Sequence, residues 1–549
     1  MTSELAGDSA EVRKARGAFF TPKPLTDFMT DWAIRTASDR VLEPSCGDGA
    51  FIAAAVRRLQ DLGGRTTIRA HELHEASAND ARSLLAALDH PGEVRIGDFL
   101  ACKAEPSFDA VVGNPPYVRY QGFTGPARAA GLSAALAQGV RLSRLASSWA
   151  PFVIHSAAHL TSTGRLAFVL PAELLSSNYA QEVRDYLLTR FASLAVVLIE
   201  RQVFAGVQTE ALILLAEGTG GTDRVRFAVV READHLPPRD FSTTLDAKPG
   251  ERWTTALLSA DASRQLSDLA AGTIMAPLSG WGRLSLGAVT GNNRYFTLSP
   301  DRAGELGLRP EDTVAISPPG SSHLRYLRFD KDDHTRLGAR GAPTLLFRPR
   351  VPSPAARAYI ARGEAAGVDA AYKCRVRSPW WRTPLPAAPH LLFTYMSQTI
   401  PQLASNPAEL HCLNSVHGLY LEPEVSDLSE MLALAALNSV TALSAEVTGR
   451  AYGGGILKME PREAARLLVP SPTLVRSRQR ALSEALPTAK AMLTSGRAQD
   501  ARNLVDTILF GTGGALDPAD LRVVREAYGL LSERRRDRSR SRTSTRGAR

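Results

Sequence analysis

Residues 17–235 alternate short apolar segments with stretches of helical spacing, and this alternation constrains the fold more than any other feature of the sequence. Short apolar runs of this kind are typical of strands that are buried on both faces. Because a parallel connection needs a crossover, helices between the strands favour a parallel sheet covered on both sides, and hence the α/β class. The predicted strands are Arg40–Glu43, Thr67–Glu72, Glu93–Ile96, Phe108–Val112, Gly164–Leu170, Leu194–Ile199 and Glu210–Leu215. The predicted helices are Ala50–Leu62, Ala76–Leu88 and Phe152–Leu160.

The pattern loosens around Gly218–Gly221 and again over Pro237–Pro249, where we place a domain boundary. Beyond it, short strands with many prolines and glycines lack the steady alternation, and long helical patterns return towards the C-terminus. We predict an α/β domain over 1–235, a linker over 236–275, a mixed α+β domain over 276–475, a helical region over 476–532 and a disordered basic tail over 533–549.

The net charge of +9 comes mostly from the C-terminal tail. Residues 534–549 hold eight arginines and one aspartate, and the rest of the chain has 57 basic against 55 acidic side chains, or +2. A basic Ser/Arg tail either binds polyanions without sequence preference or only keeps the chain soluble. Charge by itself therefore adds little to the case for a nucleic-acid partner.

Composition and spacing argue against membrane, secreted and zinc-ribbon proteins. No apolar run approaches the ~18 residues of a membrane helix, and the polar N-terminus has no signal-peptide core. The four cysteines are scattered and form no Cys-x-x-Cys pair. We therefore expect a reduced, cytoplasmic location. The cysteines are Cys46, Cys102, Cys374 and Cys412.

A Gly-x-Gly turn follows the first predicted strand, in the segment Glu43-Pro44-Ser45-Cys46-Gly47-Asp48-Gly49. Backbone N–H groups at a strand-to-helix turn can approach a ligand closely. The segment lacks the third glycine of a dinucleotide fingerprint and the Gly-Lys-Ser/Thr of a phosphate-binding loop. Taken alone, it is either a nucleotide-type binding loop or a tight structural turn.

Acidic residues follow the next two predicted strands. Glu72 stands where a carboxylate can accept hydrogen bonds from both hydroxyls of a ribose. After the third strand, Asp98 suits the exocyclic amine of an adenine and the backbone N–H of Phe99 suits a ring nitrogen, although an ordinary Asp turn is the alternative. His71 and His74 are three residues apart and begin at a strand end, whereas a zinc protease places its histidines four apart on a helix, so we predict no metal site.

The most specific motif is Asn114-Pro115-Pro116-Tyr117, directly after the strand Ala110–Val112. The two prolines stiffen the loop and remove two backbone donors, which leaves the Asn114 side-chain oxygen and the Pro115 carbonyl as acceptors. Two convergent acceptors suit an amine on a planar conjugated ring, because they draw its nitrogen towards a tetrahedral, nucleophilic geometry. Tyr117 then offers a flat face for stacking.

Together these segments resemble the γ-class N6-adenine DNA methyltransferases, the TaqI-methyltransferase-like and Eco57I-like group. The resemblance covers about residues 17–220, and its order of segments, from Gly17–Pro22 through the glycine loop to the catalytic motif, is the γ arrangement. It implies a Rossmann-like class I S-adenosylmethionine-dependent methyltransferase domain followed by a mixed α+β target-recognition domain. The cofactor residues that it implies are Thr21, Glu43, Ser45, Gly47, Gly49, Glu72, Asp98, Phe99 and Phe152.

The same resemblance implies a catalytic pocket for an adenine turned out of double-stranded DNA. Asn114, Pro115, Pro116 and Tyr117 match the catalytic motif, and Phe204, in the segment Glu200–Phe204, resembles the aromatic residue that stacks on the other face of the base. No metal and no covalent enzyme intermediate are expected for direct methyl transfer.

The second half resembles the family more loosely. Asn292 and Asn293 lie in a segment similar to parts of the target-recognition regions, although Gly291–Asn293 also reads as a hairpin turn. Lys458 follows a triple glycine, Gly453–Gly455, which is either a close approach to DNA or a flexible loop, and we expect Lys458 to contact phosphate.

The expected function is site-specific methylation of adenine N6 in a restriction-modification or phage-defence system, with any cognate endonuclease on a separate chain. Two alternatives stay open on the residues. Methyltransferases of protein glutamine N5 or of ribosomal RNA guanine N2 also use Asn-Pro-Pro-aromatic loops. The second alternative is a DNA-binding specificity subunit with a vestigial catalytic half.

Overall fold

The computed structural model describes residues 21–199, 211–230, 232, 236, 241, 243–452, 455–511 and 516–540. The chain divides into two compact units, Met1–Leu257 and Leu258–Arg549. This division falls inside the segment predicted as a linker. That segment contains a strand, Thr243–Asp246, in the first unit and a helix, Ala260–Ala271, in the second.

The first unit contains nine strands and seven α-helices among the described residues. Its strands are β1 (Val41–Glu43), β2 (Ile68–Glu72), β3 (Gly92–Ile96), β4 (Phe108–Gly113), β5 (Leu160–Pro171), β6 (Ser193–Ile199), β7 (Ala211–Glu217), β8 (Arg224–Val230) and β9 (Thr243–Asp246). Its helices are α1 (Lys23–Ala33), α2 (Ala50–Asp61), α3 (Glu75–Ala87), α4 (Gly125–Ala137), α5 (Trp149–Ala158), α6 (Glu173–Ser176) and α7 (Gln181–Arg190). The α/β class predicted from the alternation is confirmed.

The strands form one mixed sheet in the order β3-β2-β1-β4-β5-β7-β6-β8-β9. The five strands from β3 to β5 are parallel, but β7 runs antiparallel to both β5 and β6. The prediction of a wholly parallel sheet is therefore wrong beyond β5. Only eleven residues separate Ile199 from Ala211, which is fewer than a parallel crossover normally needs.

Both faces of this sheet are buried, as predicted. Along β4, Val111 packs into one apolar cluster while Ala110 and Val112 pack into another, which is the alternation expected of a strand with two covered faces. Trp149 of α5 belongs to the first cluster and Ile52 of α2 to the second. Helices on both sides thus hold the strand ends rigidly, and the loops after the strands carry the predicted site residues.

The second unit has only antiparallel pairs between its described strands. They form sheets in the orders β11-β18-β15-β17, β12-β14-β13, β16-β20-β19 and β10-β21. The strands are β10 (Met275–Pro277), β11 (Gly282–Leu286), β12 (Thr297–Leu298), β13 (Thr313–Ala315), β14 (Leu345–Phe347), β15 (Leu391–Phe393), β16 (Met396–Ser397), β17 (Leu403–Ser405), β18 (His417–Leu421), β19 (Arg450–Tyr452), β20 (Ile456–Lys458) and β21 (Leu468–Pro470). The predicted α+β character of this half is confirmed.

The helices of the second unit are α8 (Ala260–Ala271), α9 (Asn293–Phe296), α10 (Pro300–Glu305), α11 (Lys331–Ala339), α12 (Pro354–Ala365), α13 (Tyr372–Arg375), α14 (Ser429–Ala435), α15 (Ser439–Thr448), α16 (Pro461–Ala464), α17 (Pro472–Ser477), α18 (Gln479–Thr494), α19 (Ala498–Phe510) and α20 (Pro518–Arg540). Among the helices of the described residues, none is long and apolar enough to cross a membrane alone. One pair bent by 87°, Pro423–Ala435 with Ser439–Thr448, passes on length and composition only.

Helix α20 continues to Arg540, so the first part of the predicted disordered tail, residues 533–540, is helical. Arg535 explains why this segment is helical and not disordered, because its guanidinium is buried and pairs with both carboxylate oxygens of Glu446 on α15. The high arginine content suggested a solvated tail, whereas this arginine is a buried tertiary contact.

Candidate active site

Four parallel strands end side by side at one edge of the first sheet, in the order β3-β2-β1-β4. The chain runs from β1 outwards to β2 and β3 and then returns to β4 on the other side of β1. Ligands of open α/β sheets bind at such a reversal of strand order, beyond the carboxyl ends of the strands. The predicted cofactor loop after β1 and the predicted catalytic loop after β4 lie on either side of this reversal.

The glycine loop between β1 and α2 is held against the end of β2. The backbone N–H of Cys46 donates to the His71 carbonyl at 3.0 Å. Gly49 caps α2 with φ of 82°, and a Cβ there would lie 2.7 Å from Leu84 Cδ2, so a side chain is strained by the backbone and requires Leu84 to shift. At Gly47, with φ of 50°, a Cβ would meet no atom within 4 Å, so the loop faces open space. Ser45 is half-buried in the same loop.

Glu72 ties this loop to the end of β2 through both of its carboxylate oxygens. Oε2 accepts from the backbone N–H of Gly47 and Oε1 from that of His74, each at 2.9 Å. The link between Glu72 and the glycine loop was not foreseen from the sequence, because 25 residues separate Glu72 from Gly47. The ribose role of Glu72 remains a prediction.

Glu43 is a buried acid at the base of the same cleft, with 2% of its surface exposed. Its Oε2 has no hydrogen-bond partner among the described residues. Burial, reinforced by the carboxylates of Asp48 and Glu72, raises the pKa of Glu43 well above its usual value. A buried oxygen of this kind is suited to a ligand that brings a positive charge or a hydrogen-bond donor.

The loop after β3 brings together the two aromatic residues predicted for the adenine pocket. Asp98 accepts from the Leu100 N–H at 3.0 Å and begins a short turn, so the Asp turn that was the alternative is present. Phe99 is 2% exposed and stacks on Phe152, with ring centroids 5.7 Å apart. His155 lies edge-on to Phe99 at 4.8 Å, which completes an apolar and aromatic floor.

In the catalytic motif after β4, Asn114 donates from Nδ2 to the hydroxyl of Thr21 at 3.2 Å. The predicted N-terminal cofactor segment and the predicted catalytic motif are therefore in contact. Asn114 is half-buried and its Oδ1 has no exposed surface, so a target amine reaches this oxygen only after the surrounding residues move. Pro115 is buried and Pro116 is half-buried.

Tyr117 is half-buried and packs against the apolar clusters on both faces of the sheet. Burial raises the pKa of its phenol well above the usual value, so this side chain is neutral and suited to stacking. Phe204, its predicted partner, lies in residues 200–210, outside the described residues.

Sequence reasoning missed Ser148, which contacts the catalytic loop. Its hydroxyl donates to the Pro116 carbonyl and accepts from the Val118 N–H at 2.9 Å. A serine just before a helix is typical of a helix cap, so the local sequence gave no signal of this contact.

The predicted DNA-binding residues of the second unit make local contacts. Asn292 caps α9 by accepting from the Tyr295 N–H at 3.2 Å, so Gly291–Asn293 begins a helix and the expected hairpin turn is wrong. Asn293 Oδ1 accepts from the hydroxyl of Thr290 at 2.5 Å. Their DNA contacts remain predictions.

Lys458, at the end of β20, pairs with Glu460 at 2.7 Å, and 28% of its side chain is exposed. Its phosphate contact also remains a prediction. In the part of the chain that the structure describes, no group of three or more His, Cys, Asp and Glu side chains is arranged as metal ligands.

Comparisons with known proteins cover both units. Residues 5–239 match the family N-6 DNA Methylase, and residues 250–510 match the C-terminal domain of the Type II methyltransferase M.Eco57I. The chain is 27% identical over 482 residues to the Type II methyltransferase M.XamI of Xanthomonas campestris pv. amaranthicola. This alignment covers 83% of this chain and 85% of that protein. It is 24% identical over 479 residues to the Type II methyltransferase M.AccI of Acinetobacter calcoaceticus, with the same coverage of 83% and 85%.

A shorter match has higher identity. The Type II methyltransferase M.XhoI of Xanthomonas vasicola is 31% identical over 239 residues, which is 37% of this chain and 42% of that protein.

Proposed function

The chain belongs to the N-6 DNA methylase family, in the γ class, and on that premise we propose that it transfers a methyl group from S-adenosylmethionine to the N6 amine of adenine in double-stranded DNA. It is a DNA methyltransferase of the restriction-modification type. The family matches do not favour the protein-glutamine and ribosomal-RNA alternatives, nor a subunit that only binds DNA.

One contact carries the proposal: the hydrogen bond between Asn114 and Thr21. It joins the predicted catalytic motif to the predicted N-terminal cofactor segment, beside the glycine loop. A planar amine held at Asn114 is therefore next to the place where the cofactor is expected, as direct transfer requires.

The residues around the glycine loop fit S-adenosylmethionine. The cofactor has an ammonium group, a ribose diol and an adenine, and it supplies an electrophilic methyl group when bound. Glu43 offers to a positive group a buried oxygen that has no hydrogen-bond partner among the described residues, and Glu72 lies at the end of the next strand. Phe99 and Phe152 offer stacked rings to an adenine. We propose these residues, with Thr21, Ser45, Gly47, Gly49 and Asp98, as the cofactor site.

Asn114 and Pro115 are proposed to hold the amine of the extruded adenine with the Asn114 Oδ1 and the Pro115 carbonyl. Both acceptors draw the amine hydrogens, which concentrates the nitrogen lone pair for attack on the methyl group. Tyr117 and Phe204 are proposed to stack on the two faces of the base. Stacking of this kind returns roughly 1–3 kcal/mol per ring contact, against an unstacking cost of a few kcal/mol.

The second unit is proposed to bind the DNA around the target, with contacts from Asn292, Asn293 and Lys458. We propose that a separate restriction endonuclease recognises the same DNA sequence, because methylation of that sequence then protects the host DNA from cleavage. An enzyme acting on chromosomal DNA works at the nucleoid, so the proposed location is the bacterial cytoplasm.

The test is incubation of the protein with tritiated S-adenosylmethionine and genomic DNA from several bacteria, followed by digestion to nucleosides. We expect the label in N6-methyladenine. Asn114→Ala should lower the transfer rate about 10²–10³-fold while DNA binding in a gel shift is unchanged. Label in cytosine, RNA or protein glutamine, or none at all, contradicts the proposal.

A further inference from the structure

Ser148 contacts the backbone on both sides of Tyr117. Its hydroxyl donates to the carbonyl of Pro116, which belongs to the peptide before Tyr117. The same hydroxyl accepts from the N–H of Val118, at 2.9 Å, which belongs to the peptide after Tyr117. The backbone N–H of Ser148 also donates to the Val118 carbonyl at 3.0 Å. One residue therefore restrains the two peptide planes that set the backbone angles of Tyr117.

The catalytic loop lacks two of the backbone donors that would otherwise help to hold its conformation. Pro115 and Pro116 have no N–H, so the loop cannot extend the hydrogen-bond ladder of β4 beyond Asn114. The direction of the Tyr117 ring follows from its backbone angles and its χ1 rotamer. A side-chain hydroxyl that fixes both flanking peptides thus replaces the missing ladder at the point where the ring must be aimed.

Ser148 itself is rigidly placed. It is 2% exposed and directly precedes helix α5. The next residue, Trp149, is fully buried, and its Nε1 donates to the Tyr179 hydroxyl at 3.0 Å. Tyr179 in turn donates to Glu173, the first residue of α6, two residues after the end of β5. The hydroxyl that restrains the catalytic loop is therefore anchored to the neighbouring strand end.

We propose that Ser148 is a positioning residue that fixes the Tyr117 ring in the orientation needed to stack on the extruded base. The inference rests on the proposed function, because it assigns to Tyr117 the role of a stacking platform. Ser148 makes no contact with substrate; it acts through the peptides on either side of Tyr117.

The chain offers a matched control in the helix that Ser148 precedes. Ser156 of α5 is also fully buried, and its hydroxyl has no hydrogen-bond partner among the described residues. Ser156→Ala removes one buried hydroxyl from α5 and Ser148→Ala removes one from the residue directly before α5, but only the second removes contacts to the catalytic loop. Ser148→Cys keeps the branching of the side chain, with a somewhat larger atom, and weakens both hydrogen bonds.

The experiment measures single-turnover methyl transfer to genomic DNA at saturating S-adenosylmethionine, per cofactor-binding site counted by calorimetry. We expect Ser148→Ala to lower the rate constant about 10–100-fold, because a small misplacement of a positioned group costs up to about 10² in rate. Ser148→Cys should fall between wild type and Ser148→Ala, and Ser156→Ala should stay within twofold of wild type. Cofactor affinity should change less than threefold in every variant.

If Ser148 acted only in folding, Ser148→Ala would lower the number of cofactor-binding sites and leave the rate constant per site unchanged. If the wild type is active and the rate constants of Ser148→Ala and Ser156→Ala are equal, the positioning role of Ser148 is overturned. The proposed function is then unaffected. If Ser148→Ala does not fold, a wild-type rate constant in Ser148→Cys overturns it and a reduced one supports it. A wild type that transfers no methyl group to DNA refutes the proposed function, and the inference with it.

Discussion

The side-chain amide of Asn114 donates a 3.2 Å hydrogen bond to the hydroxyl of Thr21, 93 residues earlier in the chain. In this orientation Nδ2 faces Thr21 and the carbonyl Oδ1 faces the opposite way. An amide rotated by half a turn about the Cβ–Cγ bond would place the NH₂ donor where the proposed chemistry needs an acceptor. The orientation that hydrogen-bonds to Thr21 is thus the one that leaves the acceptor Oδ1 for the target amine.

Thr21→Val should lower the methyl-transfer rate about tenfold, since valine has nearly the same shape but cannot accept from Asn114. The measurement is single-turnover transfer at saturating cofactor. Thr26→Val is the control, because Thr26 is a buried threonine of α1 whose hydroxyl donates to the Lys23 carbonyl and does not contact Asn114. Equal rates in the two variants would show that the amide needs no support from Thr21.

Glu43 should make the cofactor-free protein less stable as the pH rises. Burial and the carboxylates of Asp48 and Glu72 raise its pKa in the folded state. Its stabilising contribution is therefore fully present below the unfolded pKa of about 4.3 and is lost as the pH rises through the folded pKa. Relative to Glu43→Gln, the wild type should lose about 1.4 kcal/mol of unfolding free energy per pH unit in that window.

Urea denaturation of both forms between pH 4 and pH 8 checks this expectation. The difference between the two free energies should fall steadily as the pH rises above about 4.3. Parallel curves for the wild type and Glu43→Gln would mean that Glu43 ionises normally in the folded protein.

The histidines behind the adenine pocket should act in the opposite sense. Burial lowers the pKa of His71 to about 4 and that of His159 to about 3. A group with a lowered folded pKa contributes stability above its unfolded pKa of about 6.5, and this is lost as the pH falls towards the folded value. His159→Gln should therefore flatten the acid side of the stability curve, measured by urea denaturation between pH 7 and pH 4. An unchanged slope in this variant would contradict the prediction.

Arg535 should be a major stabilising residue of the second unit. Its side chain and that of Glu446 are each 3% exposed and form two hydrogen bonds, at 2.6 and 2.9 Å. Arg535 also donates to the carbonyls of Gln398 and Thr399. Arg535→Met leaves a buried carboxylate without its partner, and it should cost about 3–5 kcal/mol of unfolding free energy.

A double-mutant cycle separates the loss of the pair from the loss of packing. Glu446→Gln in the Arg535→Met background removes the buried charge and should recover part of the stability. Thermal and urea denaturation provide the measurement, and a loss that is purely additive would contradict a coupled pair.

The local elements could be predicted because each depends on neighbouring residues. The strand ending at Glu43 and the helix from Ala50 were predicted within one residue, since apolar spacing and a glycine turn mark both. The antiparallel direction of β7 was not predicted, because strand direction depends on which neighbours a strand meets. The helix through Arg535 was missed because its arginines alone indicate a solvated tail.

The sequence by itself determined the types of side chain at the strand ends, the stiffness of the Asn114–Tyr117 loop and the α/β class. These follow from residue chemistry, proline geometry and hydrophobic periodicity, which act over a few residues. Tertiary structure alone decided that Thr21 contacts Asn114, that Glu72 holds the glycine loop and that Ser148 restrains both peptides around Tyr117. Hydrogen-bond partners 25 to 93 residues apart are chosen by how the helices and strands pack, and no local pattern encodes that choice.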